Sequence, residues 1–366
     1  MKVLSYIDSL NRGGAETLIM DIAKNITKDD FEYIIVSGKG GDLEDEIKNS
    51  NAKYIRLNRR KAVDIKLIKQ LRKIIKSEKV DIIHSHGDIS TVYSHLASIG
   101  LGIKMLNTFH GYIISKKWKL ISKQLANKIT MNICVSNGFL NELKKEIKFK
   151  RAEVIYNGID DSKFRQTKNK NYLKEYNFGD NDFTVGMVGN FTQGKDHYTL
   201  CKALSIVLEK NREAKFLFIG RRDVANPEIY DKCYKYCLEN NLLNNVIFTG
   251  KRDDIPEILN SLDLFILSSN TDTFGIAAVE AMLSKVPCLL SDIPPLREIS
   301  DNGKYAILFK KGDEKDLAEK ISDIINGKYN IETLTNEAYH WAKEKFSIRV
   351  HIENLKSIYK KVIEEK

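Results

Sequence analysis

The feature that most constrains the fold is a twofold series of short apolar segments that alternate with longer amphipathic segments. Seven segments of the first half are rich in β-branched, leucine and aromatic residues, as in Lys2–Ile7 and Lys104–Phe109. The stretches between them carry apolar residues at helical spacing, for example Ile65, Ile68 and Leu71. Near-continuous apolar strands alternating with amphipathic helices are typical of a parallel sheet covered on both faces. The first half therefore predicts a doubly wound α/β domain.

The same series begins again in the second half, where six further apolar segments lie within residues 183–309. A chain of 366 residues is more than twice as long as a typical domain of about 150 residues. We expect a Rossmann-like domain over residues 1–165, a second one over residues 166–345, and an amphipathic helix within residues 346–366. The two domains would face each other across a cleft. Ligands of such sheets bind beyond the carboxyl ends of the strands, so the loops that follow the strands are the candidate sites.

Composition limits the compartment and the partners. The five cysteines are odd in number and widely spread, which favours a reducing cytoplasm over a disulfide framework. The chain has no apolar run of about 18 residues, and the apolar stretch at its start is too short for a signal peptide. Residues 1–165 contain 30 Lys and Arg against 19 Asp and Glu, whereas residues 166–366 contain 29 against 30. The basic half predicts peripheral contact with an anionic membrane, or is a lysine-rich solvated surface. No nucleic-acid-binding motif accompanies it, and we expect no nucleic-acid partner.

Two loops of the first half carry candidate binding residues. Gly13 and Gly14 follow the first strand and precede a helix expected to begin near residue 15, so backbone amides can approach a phosphate or a sugar hydroxyl. The spacing is not that of a dinucleotide fingerprint, and a plain tight turn is the alternative. His110 follows another strand, where it can donate to a hydroxyl or a developing charge. The fourth predicted strand is Val80–His84, and His84 and His86 at its end suggest zinc together with His110, but no carboxylate or cysteine motif completes such a site.

In the second half, one loop resembles a P-loop without completing it. Gly189, Gly194 and Lys195 have the required spacing, but Asp196 stands where magnesium binding needs a hydroxyl. A second carboxylate near phosphates would repel them, which argues against nucleoside triphosphate hydrolysis. Lys195 remains well placed to neutralise a diphosphate leaving group.

A second loop leads from a strand into a helix and carries two carboxylates eight residues apart. Asp272 precedes the helix, and the amides of residues 273–276 can bind anionic groups at its N-terminus. Glu280 lies inside the helix among small and apolar residues, where an unpaired carboxylate would be costly. We therefore expect Glu280 to accept hydrogen bonds from vicinal hydroxyls, the alternative being an exposed helix residue.

The order of these motifs resembles that of the family-4 retaining glycosyltransferases of the group 1 type. The motifs, in chain order, are Gly13–Glu16, Thr108–Gly111, Val154–Asp160, Gly189–Asn190 with Lys195, Thr249–Ile255 and Asp272–Glu280. The resemblance covers essentially the whole chain. It implies the GT-B fold of two Rossmann-like domains, a donor held mainly by the second domain and an acceptor held mainly by the first. It also implies that no metal or other cofactor is required and that the last helix packs back on the first domain.

The resemblance further implies roles for individual residues. Catalytic roles would fall to His110, Lys195 and Asp272. Donor contacts would come from Gly13, Gly14, Asn190, Lys195, Arg252, Thr273, Phe274, Gly275, Ile276 and Glu280. Lys195 would bind the diphosphate and Glu280 the ribose hydroxyls. Two positions depart from the family pattern, since Asn190 stands where an arginine is usual and Asp272 where a glutamate is usual.

The function that the resemblance implies is transfer of a hexosyl or N-acetylhexosaminyl group with retention of configuration. We expect a nucleotide-sugar donor, with a UDP-sugar favoured, and a glycan or lipid-linked acceptor in cell-surface polysaccharide synthesis. The protein would be cytoplasmic and peripheral on the inner face of the membrane. Two alternatives remain open at this point, namely a non-catalytic partner subunit of the same fold and a nucleotide-sugar epimerase or phosphorylase.

Overall fold

The computed structural model describes residues 1–61, 64–112, 116–164, 169–176, 178–179, 181–224 and 226–365. The chain divides into two compact units. Unit 1 comprises residues 1–160 together with 346–366, and unit 2 comprises residues 161–345. The domain boundary expected between residues 165 and 166 lies outside the described residues.

The described part of unit 1 contains a parallel sheet of seven strands in the order β3-β2-β1-β4-β5-β6-β7. The strands are β1 (Lys2–Ile7), β2 (Glu32–Ser37), β3 (Lys53–Arg56), β4 (Ile82–His86), β5 (Lys104–Phe109), β6 (Met131–Cys134) and β7 (Ala152–Val154). The sequence prediction ended the fourth strand at His84, and this is wrong. The strand pairing continues to His86, which lies beside Thr108 of β5. A polar residue can be buried at this end of β4 because His84 is hydrogen-bonded to buried partners there.

Helices cover both faces of this sheet. They are α1 (Gly14–Asn25), α2 (Glu44–Lys48), α3 (Ile65–Ser77), α4 (Asp88–Ser98), α5 (Lys116–Ala126), α6 (Asn137–Lys144) and, after the helices of unit 2, α14 (Ile348–Glu364). On one face, α3 and α4 pack through residues such as Leu71 and Tyr93. On the other face, α1 and α14 share a core with β1. These two apolar layers explain why the strands read as near-continuous apolar runs.

The C-terminal helix is an integral part of unit 1. Ile352, Leu355 and Tyr359 are at most 2% exposed in the same cluster as Val3. Fully burying such a side chain contributes about 1.5–3 kcal/mol. Beside these apolar contacts, Arg349 of the same helix binds the carboxylate of Asp30, and the Asp30 side chain is fully buried. The helix therefore contributes both core area and charge pairing to the unit that begins the chain.

The described part of unit 2 contains a parallel sheet of six strands in the order β10-β9-β8-β11-β12-β13. The strands are β8 (Phe183–Val188), β9 (Ala214–Ile219), β10 (Val246–Gly250), β11 (Leu264–Leu267), β12 (Cys288–Ser291) and β13 (Ile307–Phe309). The helices are α7 (His197–Lys210), α8 (Pro227–Glu239), α9 (Ile255–Leu259), α10 (Ile276–Leu283), α11 (Pro294–Ile299), α12 (Glu314–Ile325) and α13 (Ile331–Phe346). Two 3₁₀ segments, Asp161–Lys163 and Lys170–Tyr176, precede the sheet. In both units the strand order reverses at the first strand, which places a crevice at its carboxyl end. None of the helices in the described part of the chain is both long and apolar enough to span a bilayer.

Candidate active site

In unit 2, the loops that follow two neighbouring strands are joined by their backbones. The loop after β8 and the loop after β11 meet where Lys195 forms a short antiparallel bridge with Ser269. The amides of Asn270 and Thr271 both donate to the carbonyl oxygen of Gly194, at 2.9 and 3.2 Å. These contacts bring the predicted residues of the two loops to one edge of the sheet.

Lys195 and Asp272 form an ion pair at this edge. Lys195 Nζ lies 2.5 Å from Asp272 Oδ2, and the two side chains are 23% and 11% exposed. Asp272 Oδ1 also accepts from the amides of Thr273 and Phe274, at 2.8 and 3.4 Å. Burial raises the pKa of Asp272, but Lys195 and the two amides outweigh it and hold the pKa below its usual value. Asp272 is therefore an ionised carboxylate at neutral pH, and it occupies the amides of residues 273 and 274 that were expected to face a ligand.

Helix α10 begins at a strained turn directly after this pair. Gly275 has φ +101°, and a Cβ there would lie 2.6 Å from a side-chain carbon of Leu296, so the turn requires glycine. Phe274, predicted to contact the donor, is 1% exposed and its amide already donates to Asp272, so the structure does not present it to a ligand. Ile276 and Glu280 are both half-buried and, four residues apart, lie on the same face of the helix. The Ile276 and Glu280 side chains therefore share one half-buried face of α10.

Arg252, predicted to contact the donor, is hydrogen-bonded to neighbouring side chains of unit 2. Its guanidinium donates to both carboxylate oxygens of Asp254, at 2.8 and 2.5 Å, to Glu175 at 2.9 Å and to the Tyr176 hydroxyl at 2.7 Å. Four of its donors already have acceptors, so the arrangement favours a role in fixing the loop after β10. Asn190 belongs to the β8 edge, where its side-chain oxygen accepts from the amide of Arg221 at 3.0 Å.

In unit 1, a cavity of about 260 Å³ opens where the strand order reverses. It lies at the carboxyl ends of β1, β4 and β5, and its lining includes Asp8, Glu16, His86, Asp88 and His110. Burial raises the pKa of both Glu16 and Asp88. A polar crevice at this point of a doubly wound sheet is the expected position of a ligand site.

The predicted glycines lie at the start of α1, beside this cavity. Gly13 is the N-cap residue and Gly14 the first residue of the helix. A Cβ at Gly13 would lie 2.6 Å from a carboxylate oxygen of Glu16, so the absence of a side chain at Gly13 lets Glu16 fold back over the helix start. Ala15 and Glu16 of the first turn of α1 line the cavity, whereas Gly13 and Gly14 are not among its lining residues.

Three histidines, which we call the histidine row, stack along the carboxyl ends of β4 and β5. The ring centres of His84 and His86 lie 4.4 Å apart and those of His86 and His110 lie 5.2 Å apart. His86 Nδ1 is hydrogen-bonded to His110 Nε2 at 2.9 Å, and His84 is bonded to Tyr359 and Thr108 at 2.6 and 2.7 Å.

The histidine row is neutral at physiological pH. Burial lowers the pKa of His84 and of His110 to about 3, and that of His86 well below its usual value. His110 can therefore exchange hydrogen bonds with a hydroxyl without carrying a charge. The zinc hypothesis for these histidines gains no support, since the described residues contain no cluster of three or more His, Cys, Asp or Glu arranged to hold a metal ion. The buried Nε2 of His86 has no hydrogen-bond partner among the described residues.

Comparison with known families accounts for the motif order. The model of the family described as Glycosyltransferase Family 4 matches residues 12–163, and that described as Glycosyl transferases group 1 matches residues 168–341. Together they cover most of both units. The chain belongs to the family-4, group 1 glycosyltransferases. The resemblance noted from the sequence is thus confirmed.

Individual relatives of this glycosyltransferase agree with the family assignment. It is 28% identical over 299 residues to the UDP-Gal:alpha-D-GlcNAc-diphosphoundecaprenol alpha-1,3-galactosyltransferase of Escherichia coli, with 76% of each chain covered. It is 25% identical over 361 residues to the capsular polysaccharide biosynthesis glycosyltransferase CapM of Staphylococcus aureus, covering 93% of this chain and 92% of that protein. Among solved structures, HepE of Anabaena in complex with UDP and glucose superposes with a TM-score of 0.86 at 20% identity, covering 98% of this chain and 99% of HepE. The predicted GT-B fold is confirmed.

Proposed function

We propose that this glycosyltransferase moves a hexosyl or N-acetylhexosaminyl group from a UDP-sugar to a glycan or lipid-linked acceptor in cell-surface glycan synthesis. The Escherichia coli relative is named for a UDP-sugar donor and a lipid-diphosphate acceptor, and HepE was crystallised with UDP and glucose. The observation that carries the proposal is the cation at the edge of the unit 2 sheet. Lys195 Nζ has N–H donors beyond the one directed at Asp272, and it stands beside the N-terminus of α10.

We propose that the reaction needs no metal, because Lys195 supplies positive charge where the diphosphate departs. The bond between the sugar carbon and the diphosphate oxygen breaks, and a bond to the acceptor hydroxyl oxygen forms. The acceptor proton passes to an oxygen of the departing diphosphate. His110, which burial keeps neutral, would hold a sugar hydroxyl in the cavity of unit 1.

Retention of configuration would follow from attack on the face that the diphosphate leaves. A double displacement needs a free carboxylate as nucleophile. Asp272 is instead held by Lys195 and by the amides of Thr273 and Phe274, which supports a positioning role. Comparing the anomeric proton couplings of the donor and the product by NMR tests this, and an inverted product would contradict it.

The decisive experiment is a binding and hydrolysis panel with UDP-, GDP-, ADP- and CMP-sugars, run with magnesium and with a chelator. We expect a UDP-sugar to raise the melting temperature in either condition. Glu280→Gln should weaken this binding about 10- to 100-fold, as for a lost hydrogen bond to a charged group. Glu319→Gln, an exposed residue of α12, is the matched control.

The other outcomes of this panel separate the alternatives. Binding without transfer to any acceptor would favour the non-catalytic partner subunit, and an isomerised or phosphorolysed sugar without acceptor would favour the epimerase or phosphorylase. No stabilisation by any nucleotide-sugar would refute the proposed donor site.

We also propose that unit 1 contacts the anionic inner face of the membrane. Ile65, at the start of α3, is 65% exposed, and Leu120 of α5 is 60% exposed. One exposed face of α3 carries Lys66, Lys69, Lys73 and Lys76. A cavity of about 590 Å³ beside the start of α3 is lined by Arg60, Lys61 and Lys66 among others, which suits an acceptor carrying phosphate.

Sedimentation with lipid vesicles tests this surface. Each lysine near an anionic surface contributes about 1 kcal/mol, so reversing Lys66, Lys69 and Lys73 to Glu should weaken binding to phosphatidylglycerol vesicles at least about 100-fold. Donor hydrolysis should stay unchanged. Equal sedimentation with phosphatidylcholine vesicles, or with the variant, would contradict membrane contact through α3.

A further inference from the structure

The ends of β8 and β9 approach so closely that the residues after them are neighbours. The two strands pair in register up to Val188 and Ile219, and each is followed by a glycine. A Cβ on Gly220 would lie 2.0 Å from the carbonyl oxygen of Gly189, a contact that no side chain can make. Glycine at this position therefore lets the chain segments after β8 and β9 run side by side.

Arg221 is fixed against the β8 loop through both of its backbone groups. Its amide donates to Asn190 Oδ1 at 3.0 Å, and its carbonyl accepts from the amide of Phe191 at 3.0 Å. Because the oxygen of the Asn190 amide is engaged, the remaining NH₂ group is available as a donor at the exposed edge. Asn190 and Arg221 thus act as a joined pair at the carboxyl ends of two adjacent strands.

The guanidinium of Arg221 differs from that of the arginines near it. Arg222 is paired with Asp231 at 2.7 and 2.9 Å, and Arg252 with Asp254. Arg221 is exposed, and its guanidinium has no hydrogen-bond or ion-pair partner among the described residues. An arginine with a fixed backbone and a free planar fork can bind a phosphate through two parallel hydrogen bonds.

Gly220, which precedes Arg221, and the lysine that the proposed function assigns to the diphosphate both lie against Gly189. A Cβ on Gly189 would lie 3.6 Å from Cγ, Cδ and Cε of Lys195, so the lysine stem runs along Gly189. The carbonyl oxygen of the same Gly189 lies against Gly220. Lys195 shares its charge with Asp272, so a second cation would strengthen the binding of a diphosphate at Lys195.

We propose that Arg221 is a second diphosphate-binding residue of the donor site. It provides from the end of β9 the guanidinium that Asn190, where the family usually has an arginine, does not provide from the end of β8. The diphosphate would be held by Lys195, the Asn190 NH₂ group and Arg221. This inference rests on the proposed function, since it takes the ligand at Lys195 to be a nucleoside diphosphate sugar.

The experiment compares Arg221→Gln with Arg222→Gln, which removes the same charge one residue further along. Calorimetry with UDP as the probe should show a loss of affinity of about 10- to 100-fold for Arg221→Gln and less than about twofold for Arg222→Gln. Uridine, which lacks the phosphates, should bind the wild type and Arg221→Gln alike. Placing the charge back on the β8 loop, by adding Asn190→Arg to Arg221→Gln, should recover most of the lost UDP affinity. Because Arg221 is exposed, Arg221→Gln should have the same melting temperature as the wild type.

The outcomes distinguish this inference from the proposed function. Wild type that binds neither UDP nor GDP, ADP or CMP would overturn both. Wild type that binds UDP, with Glu280→Gln weakened and Arg221→Gln unaffected, would overturn the role of Arg221 alone. An equal loss of uridine and UDP affinity in Arg221→Gln would overturn it as well, because that loss would not depend on phosphate.

Discussion

Replacing Lys195 with Met removes the cation beside Asp272 and keeps most of the side-chain volume. In the wild type the Asp272 carboxylate is held by Lys195 Nζ at 2.5 Å and by two backbone amides, with 11% of the side chain exposed. A hydrogen bond to a charged group contributes about 1.5–3 kcal/mol. For unit 2, which spans residues 161–345, this corresponds to a melting temperature lower by about 3–12 °C.

The loss should depend on pH with a defined sign. In the wild type the folded-state pKa of Asp272 lies below the unfolded value, so its ionisation stabilises unit 2 above about pH 4 and that stabilisation is lost as the pH falls. Without Lys195, burial acts with less opposition and the folded-state pKa rises. The carboxylate then costs more stability as the pH rises. The difference between variant and wild type should therefore be larger at pH 7.5 than at pH 4.5.

A double-mutant cycle of Lys195→Met, Asp272→Asn and their combination measures the pair directly. Melting of the four proteins is followed by circular dichroism at both pH values. We expect a coupling free energy of about 1.5–3 kcal/mol at pH 7.5. A coupling below about 0.5 kcal/mol, or an equal loss at the two pH values, would refute the reasoning, because the pair would then be no stronger than an exposed surface ion pair.

Three further predictions concern the remaining features. Gly275→Ala should destabilise unit 2 by about 2–5 kcal/mol in urea unfolding, because left-handed backbone and overpacking both add cost. At Gly327 the φ angle is also positive but the space around it is open, so Gly327→Ala should lower the free energy of unfolding only by the cost of left-handed backbone. Arg349→Met leaves the fully buried Asp30 carboxylate without its guanidinium, and should destabilise unit 1 by about 2 kcal/mol and speed proteolysis of α14. The histidine row must protonate on unfolding below about pH 6.5, so unit 1 should lose up to about 1.4 kcal/mol per histidine and pH unit between pH 6.5 and 4, measured as urea midpoints.

A specific result would contradict each of these three predictions. Equal losses in Gly275→Ala and Gly327→Ala would mean that the Leu296 side chain gives way without cost. Unchanged proteolysis of α14 in Arg349→Met would mean that its apolar face alone holds the helix. A urea midpoint of unit 1 that stays constant from pH 6.5 to 5 would contradict burial of the neutral histidines.

The arrangement of strands was predictable because it depends on local apolar runs. Lys2–Ile7 and Lys104–Phe109 were predicted with the bounds that the structure has. The end of β4 was not, since polar residues normally signal a strand end. The hydroxyl that satisfies His84 belongs to Tyr359, 275 residues away, and no local pattern reveals it.

The candidate site was predictable as a set of loops and less so as a set of contacts. Lys195 and Asp272 were both identified, but their pairing spans 77 residues and follows from the adjacency of β8 and β11. The pairing of Arg252 could have been predicted locally, because its partner Asp254 is only two residues further along the chain. Arg221 also had one, because it follows a glycine at the end of a predicted strand, where ligands of such sheets bind.

The position of α14 in the core of unit 1 has a consequence for synthesis of the protein. Residues 161–345 are synthesised before Ile352 and Tyr359. At about 5–20 residues per second, the nascent first 160 residues wait roughly 10–40 s for the helix that covers one side of their sheet. Unit 1 should therefore reach its native state only once α14 has emerged, and until then the growing chain should expose to chaperones the apolar surface that α14 covers.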